Sequence, residues 1–571
     1  MSIRRFLPLV VALATAFALA GVARAQTGDT RDDAKSIKPD DVRGLNEPTL
    51  YELLLGEIAL QRGDYALAAK TYLELARQTG DARIARRAVE VASQGKLPDL
   101  ALEAAKTWHQ IEPQSPAALQ MVAALLIATK HVDEAEPYLE KLLSAEGVDP
   151  ERGFLQMNRL LAGNPDKAAN LRVVRQLAAK YSNLAPAHLA VAQAASAAGD
   201  DAAAISAARR AAEIRPDWEA PAVTEAAVLQ KKSTADAAKR LGEFVEKNPK
   251  SREGRLNYAR ALIQDKRVPE ARKQFETLLA ANPGNNDLIY TVGLIAFQLK
   301  DYTVAEENMK KLVSSPTYRD PDGARYVLGQ IAEEQKQWPR AIEWYNQIKD
   351  GEQALPARLR TANAMAKQGK VDAAVDYLHK VSDDFPDQQV QVTVAEAQLL
   401  RDANRNKAAY ELLGEALKSD PDQPELLYDY ALTAERLEKY DVLEENLRKL
   451  IEVRPDHAHA YNALGYSFAE RNTRLKEARS LIEKAVELAP DDFFILDSLG
   501  WVQYREGNLK GAAATLRRAY GGRPDAEIGA HLGEVLWVMG ERNEANRVWQ
   551  ESLKSAPDNE TLQKTIKRLR K

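Results

Sequence analysis

Apolar positions along this chain fall at helical spacing and return as a set with a period of about 34 residues. In the clearest copy, Leu499-Gly500 is followed by Tyr504 and then by Ala512, Leu516, Ala519 and Pro524. A second copy runs Leu464-Gly465, Phe468, Ala478, Ile482, Ala485 and Pro490, with one extra residue in its turn. The prolines keep the same time. Pro216, Pro249, Pro283, Pro386, Pro421, Pro455, Pro490, Pro524 and Pro557 stand 33 to 35 residues apart, except for one step of 103, about three periods. Twelve residues before these prolines, and before Pro113, stand Ala101, Ala204, Ala237, Ala271, Ala374, Ala409, Ala478, Ala512 and Ala545, with Leu443 the exception. A small residue there lets one helix lie close to its neighbours. Twelve residues earlier come Gly293, Gly329, Gly500 and Gly533. Mid-helix glycine costs roughly 1 kcal/mol against alanine, so its recurrence predicts close backbone approach. Asp follows the proline at Asp217, Asp387, Asp422, Asp456, Asp491, Asp525 and Asp558, where it is expected to cap the next helix.

Two helices per period, with strand-like alternation missing, predict an all-α chain. The order Leu-Gly, aromatic, Ala, large apolar, Ala, Pro resembles the tetratricopeptide repeat (TPR). The resemblance implies a helix-turn-helix solenoid, wound as a right-handed superhelix of roughly fifteen helix pairs over residues 47–557. Two stretches keep the length but lose register residues, Glu151 to Pro186 and Ala82 to Pro113, and are expected to be helix pairs nonetheless. In residues 558–571, Leu562, Ile566 and Leu569 share one face, with Lys564, Lys567, Arg568 and Arg570 elsewhere. That pattern predicts a capping helix that solvates the end of the stack.

Composition changes the picture mainly at the amino terminus. Arg4 and Arg5, an apolar run from Phe6 to Val22, and Ala23-Arg24-Ala25 form the pattern of a signal peptide over residues 1–25, cleaved before Gln26. Residues 26–46 are polar and charged and are expected to be a flexible tether. Of 79 Lys and Arg the signal holds three, leaving 76 against 83 Asp and Glu, a net charge of −7. That balance disfavours nucleic acid, which needs a basic stripe. The chain has no cysteine, so neither a thiol nucleophile nor a lipid anchor on cysteine is expected.

Catalytic and metal-binding chemistry is thinly represented, and neither an enzyme nor a cofactor is expected. The seven histidines are scattered, and the close pair His457 and His459 stands at a spacing that points the rings apart. Ser93-Gln94-Gly95-Lys96 matches Ser-x-x-Lys only formally, on an inter-helix turn. Acidic neighbours such as Glu333-Glu334 diverge by about 100° around a helix. An enzyme would have to hide its site in the degenerate stretch 151–186.

Binding is the better expectation. In a solenoid of helix pairs, the first helices line the concave wall. Counting from the register glycines places His459, Asn462, Tyr466, Asp497, Trp501, Tyr504, Arg505, Glu534 and Trp537 on that wall as partner-binding residues. Trp537 and Tyr504 could equally be wedges between units. Asn462, Asp497, Arg505 and Glu534 argue for a surface, because burying them unpaired is costly. The opening Leu50-Tyr51-Glu52-Leu53-Leu54-Leu55-Gly56-Glu57-Ile58-Ala59 and the closing Ala530-His531-Leu532-Gly533-Glu534-Val535-Leu536-Trp537 resemble a family of large proteobacterial envelope proteins. One member of that family is an outer-membrane lipoprotein, the adaptor that presents peptidoglycan hydrolases to a periplasmic carboxyl-terminal processing protease. The resemblance implies a periplasmic scaffold or adaptor whose partners are other periplasmic proteins, among them such a protease and such hydrolases. The alternative is a structural part of an envelope machine for polysaccharide or outer-membrane-protein export.

Overall fold

A computed structural model describes residues 47–145 and 149–570; the expected signal peptide and tether lie outside them. Among the described residues there are 31 α-helices, from Glu47–Gln61 to Glu560–Leu569, and no strand. They run as fifteen consecutive pairs and one terminal helix, all-α as the period predicts. The degenerate stretches are helix pairs too, Ala82–Gln94 with Pro98–Ile111 and Pro150–Leu161 with Lys167–Ala179. In the latter, a buried Asn164 donates to Asn170 Oδ1 at 2.8 Å, and Asn170 donates to the Leu161 carbonyl at 2.9 Å. These amides close the turn.

The register residues explain why each pair closes. Ala101, Ala204, Ala237, Ala271, Ala374, Ala409, Ala478, Ala512 and Ala545 are all at most 2% exposed, as is Leu443. Five residues before them the chain enters the left-handed region, at Lys96, Gly199, Lys266, Gly369, Asn404, Glu438, Gly507 and Gly540. In those pairs that residue ends the first helix and reverses the chain, whereas the pair that contains Ala237 turns without one. The pair with an extra turn residue has two such positions, Asn472 and Arg474. Glycine is required where helices meet. A Cβ on Gly465 would lie 2.9 Å from the Ala478 carbonyl oxygen and 2.7 Å from Ile482.

One local expectation is corrected. Of the aspartates that follow the prolines, Asp525 caps its helix, donated to by the Glu527 N–H at 2.9 Å. After Asp456, Asp491 and Asp558 the cap falls one residue later, on His457, Asp492 and Asn559, and the helices after Asp217, Asp387 and Asp422 have no side-chain cap. The proline and the residue after it form a tight turn, and the extended backbone that a cap needs begins at the next position.

The chain divides into two compact units, with the boundary at Gln274 and Phe275 inside the helix Val268–Ala281. The main core cluster of the first unit is alanine-rich, with larger side chains such as Tyr72 and Phe154 at intervals, and a smaller cluster gathers around Trp108. Glu225, fully buried, is held there by Arg209 at 2.7 Å and Arg240 at 2.5 Å. The second unit contains the candidate site. Its core is a series of smaller clusters, one after another, filled by Tyr345, Phe468, Leu516 and Trp549. The terminal helix Glu560–Leu569 lays Leu562, fully buried, on the last pair and keeps Lys564 and Lys567 exposed.

Candidate functional site

In the second unit the first helix of a pair touches the first helix of the next. Ala458–Glu470, Phe493–Arg505, Ala526–Val538 and the terminal helix therefore form a row, and the residues singled out from sequence sit along it. Four of them, Trp501, Tyr504, Arg505 and Glu534, contact one another, and other partners along the row come from outside the set. Asp497, 7% exposed, accepts from His531 Nδ1 at 2.9 Å. The His531 ring stacks on Trp501, with centroids 4.2 Å apart, and lies 6.2 Å from Tyr466. Trp501 Nε1 donates to Glu470 at 2.8 Å, and its ring meets Tyr504 at 5.1 Å. The Tyr504 hydroxyl donates to Glu534 at 3.2 Å, and Glu534 is also paired with Arg568 of the terminal helix. Arg505 donates to the carbonyls of Ala469 at 3.1 Å and Glu470 at 3.0 Å, with its guanidinium over the Trp501 ring.

This arrangement corrects the surface argument for three residues. Asp497, Trp501 and Glu534 are buried, and the two carboxylates are paired inside the chain. The cost of burying a charge falls on unpaired groups, and one-repeat spacing brings each its partner. Asp497 and His531 are 34 residues apart, as are Glu534 and Arg568. That spacing is the signal by which His531 and Arg568, absent from the sequence-derived set, could have been found.

The rest of the set is more open. His459 is 48% exposed, with Nε2 3.7 Å from Asp492. Asn462 is half-buried, and its Oδ1 has no hydrogen-bond donor. Tyr466, Tyr504 and Arg505 are half-buried. Trp537, also half-buried, packs against the fully buried Trp549 and under Arg542. His457 is a helix cap, accepting from the Ala460 N–H at 3.1 Å. Among the described residues no group of three metal-ligating side chains converges.

Electrostatics follow the packing. Burial raises the Tyr466 phenol well above its ordinary value, and the charges of Glu470, Asp497, Glu527 and Glu435 raise it further. Burial raises the Glu435 carboxyl as well. For His531 burial acts to lower the pKa, but the charge and hydrogen bond of Asp497 outweigh it, and the net shift is upward.

A TPR repeat-containing protein of Pseudomonas aeruginosa is 33% identical over 542 residues, covering 95% of this chain and 91% of the relative. This chain is a tetratricopeptide-repeat protein. Tetratricopeptide-repeat profiles match residues 228–292, 290–358, 356–387, 394–442 and 444–493. Cellulose synthase operon protein C of Pseudomonas fluorescens is 24% identical over 515 residues. That match takes in 86% of this TPR chain and only 37% of the relative. Among solved structures, a thermophilic TPR protein of Thermus thermophilus is 26% identical over 32% of this chain and 98% of its own, with a TM-score of 0.30. TPR arrays serve as scaffolds for protein–protein contact, and the row of first helices is the candidate surface.

Proposed function

We propose that this protein is a periplasmic scaffold that binds other proteins on the first-helix row of its carboxyl-terminal pairs. Its role is that of an adaptor, presenting cell-wall hydrolases to a carboxyl-terminal processing protease. The observation that carries the reading is the row itself. His459, Asn462, Tyr466, Tyr504, Arg505 and Trp537 stand partly open on consecutive first helices, over a buried layer of Asp497, Trp501, His531 and Glu534 that holds those helices in register. Aromatic, amide and arginine groups on a rigid support are what protein contact uses. Membership in the TPR family supports the scaffold role. The envelope-family runs at Leu50–Ala59 and Ala530–Trp537 support the finer one.

The test is capture from envelope extract by the chain beginning at Gln26, with and without His459→Ala and Asn462→Ala together. Neither side chain is fully buried, so helicity should be retained. Partner binding should weaken by roughly 2 kcal/mol or more if these are hot spots. Undiminished capture of every partner would remove the surface from this row. Sequencing of the native amino terminus tests export: it should begin at Gln26, and a retained Met1 would overturn it. Turnover of substrate by the purified chain alone would overturn the scaffold assignment.

A second reading rests on the Pseudomonas fluorescens relative, whose name ties it to a cellulose synthase operon. On that reading the chain is a structural part of an envelope polysaccharide machine. Co-purification with a polymer synthase, and not with a protease or hydrolase, would favour it.

A further inference from the structure

We propose that the first-helix row of residues 424–538 takes a partner segment rich in lysine or arginine. This rests on the scaffold reading and names the chemistry of the partner at that surface.

Charge is segregated between the two helices of each pair. The first helices Pro424–Arg436, Ala458–Glu470, Phe493–Arg505 and Ala526–Val538 carry seven Asp and Glu against two Arg and no Lys. The second helices of the same four pairs carry nine Asp and Glu against eleven Lys and Arg. The acidic excess therefore belongs to one face and is not a property of the whole chain.

Part of that excess is already matched. Asp429 is paired with Arg401, Asp497 with His531, and Glu534 with Arg568. Glu435, Glu470 and Glu527, one from each of three first helices, have no ion pair among the described residues. All three act on the Tyr466 phenol. Arg471 acts on Glu435, and His531 on Glu527, through charge alone, without the close contact of an ion pair. Arg505 is bonded to two carbonyls and lies over Trp501, and Arg471 donates to the Ser467 carbonyl at 3.0 Å and lies over the Tyr440 ring.

A second observation points the same way. Asn462 Oδ1, on the same helix as Glu470, is a buried oxygen left without a hydrogen-bond donor. An acceptor without a donor, on a face with three carboxylates outside any ion pair, is matched by a group that only donates. Ammonium and guanidinium are the side chains of that kind. The Tyr466 and Tyr428 rings on the same face offer the π surface that a cation also favours.

The experiment uses the chain from Gln26 and two labelled peptides, one alternating lysine with serine and one alternating glutamate with serine. Binding is read by fluorescence polarisation at physiological ionic strength. The lysine peptide should bind and the glutamate peptide should not. Glu435→Gln, Glu470→Gln and Glu527→Gln together should weaken the lysine peptide by about tenfold or more. Glu445→Gln, Glu452→Gln and Glu551→Gln, the same charge change on exposed second-helix positions, should change it by less than about twofold. Equal loss in both triple variants, or no binding of the lysine peptide, would overturn the proposal. A photo-crosslinking residue at position 459 separates this from the scaffold reading. A partner crosslinked through a basic segment supports both. A partner crosslinked through a segment without lysine or arginine overturns this inference and leaves the scaffold standing.

Discussion

Gly465 shows how a single atom governs the spacing of this fold. Alanine in its place would gain about 1 kcal/mol in helix propensity. Its methyl group, however, would meet a backbone oxygen 2.9 Å away and Ile482 at 2.7 Å, and the backbone cannot swing aside. Overpacking of that kind costs about 1–3 kcal/mol and should win. Gly465→Ala is therefore expected to lower stability by about 1 kcal/mol in chemical denaturation, and a stabilised variant would contradict the close approach. His531 makes a second prediction at this scale. Its folded pKa lies above the ordinary 6.5, so the stabilisation it draws from Asp497 is full below that value. It is lost as pH rises through the raised one. Melting curves between about pH 6 and about pH 9 should show that loss in the native protein and a flatter profile in His531→Gln.

The helix pair is the unit that the repeating pattern encodes, and the terminal helix is the element that ends it. Glu560–Leu569 buries Leu562 against the last pair and supplies Arg568 to Glu534, which is 3% exposed. Deleting residues 560–571 removes an apolar cover and leaves a buried carboxylate short of its cation, a change that is strongly destabilising. The expected result is faster amide exchange in Ala526–Val538 and Arg542–Ser555, with the first unit unaffected. Exchange unchanged in those helices would show the cap to be dispensable. The same element scale explains why Trp501→Ala is a poor probe of binding. Trp501 is 5% exposed and stacked on His531, so its loss loosens the row before it tells anything about a partner.

Within each of the two units, helices make their substantial contacts with the next helix or the next but one. Stability in such a chain is close to a sum of local interfaces, without one core to enforce a single transition. Unfolding is therefore expected to proceed in stages, with hydrogen exchange dividing the chain into several blocks of different protection. A single calorimetric transition whose van't Hoff and calorimetric enthalpies agree would contradict that locality.

The period near 34, the buried alanines from Ala101 to Ala545 and the all-α pairing were legible in the sequence because each depends on residues within one or two units. Periodicity also located the first-helix row, since a glycine at a known place on a helix orients its neighbours. What the sequence could not settle was which residues of that row face outward. Asp497, Glu534 and Trp501 have the composition of a contact surface, yet they lie beneath it. The partners that make their burial tolerable, His531, Arg568 and Glu470, come from the helix one repeat away. The sequence alone determined the repeat and its register, because propensity and packing within a pair are local. Only the tertiary structure decided which polar groups are neutralised inside the row and which are left open, because that depends on the distance between atoms of successive repeats.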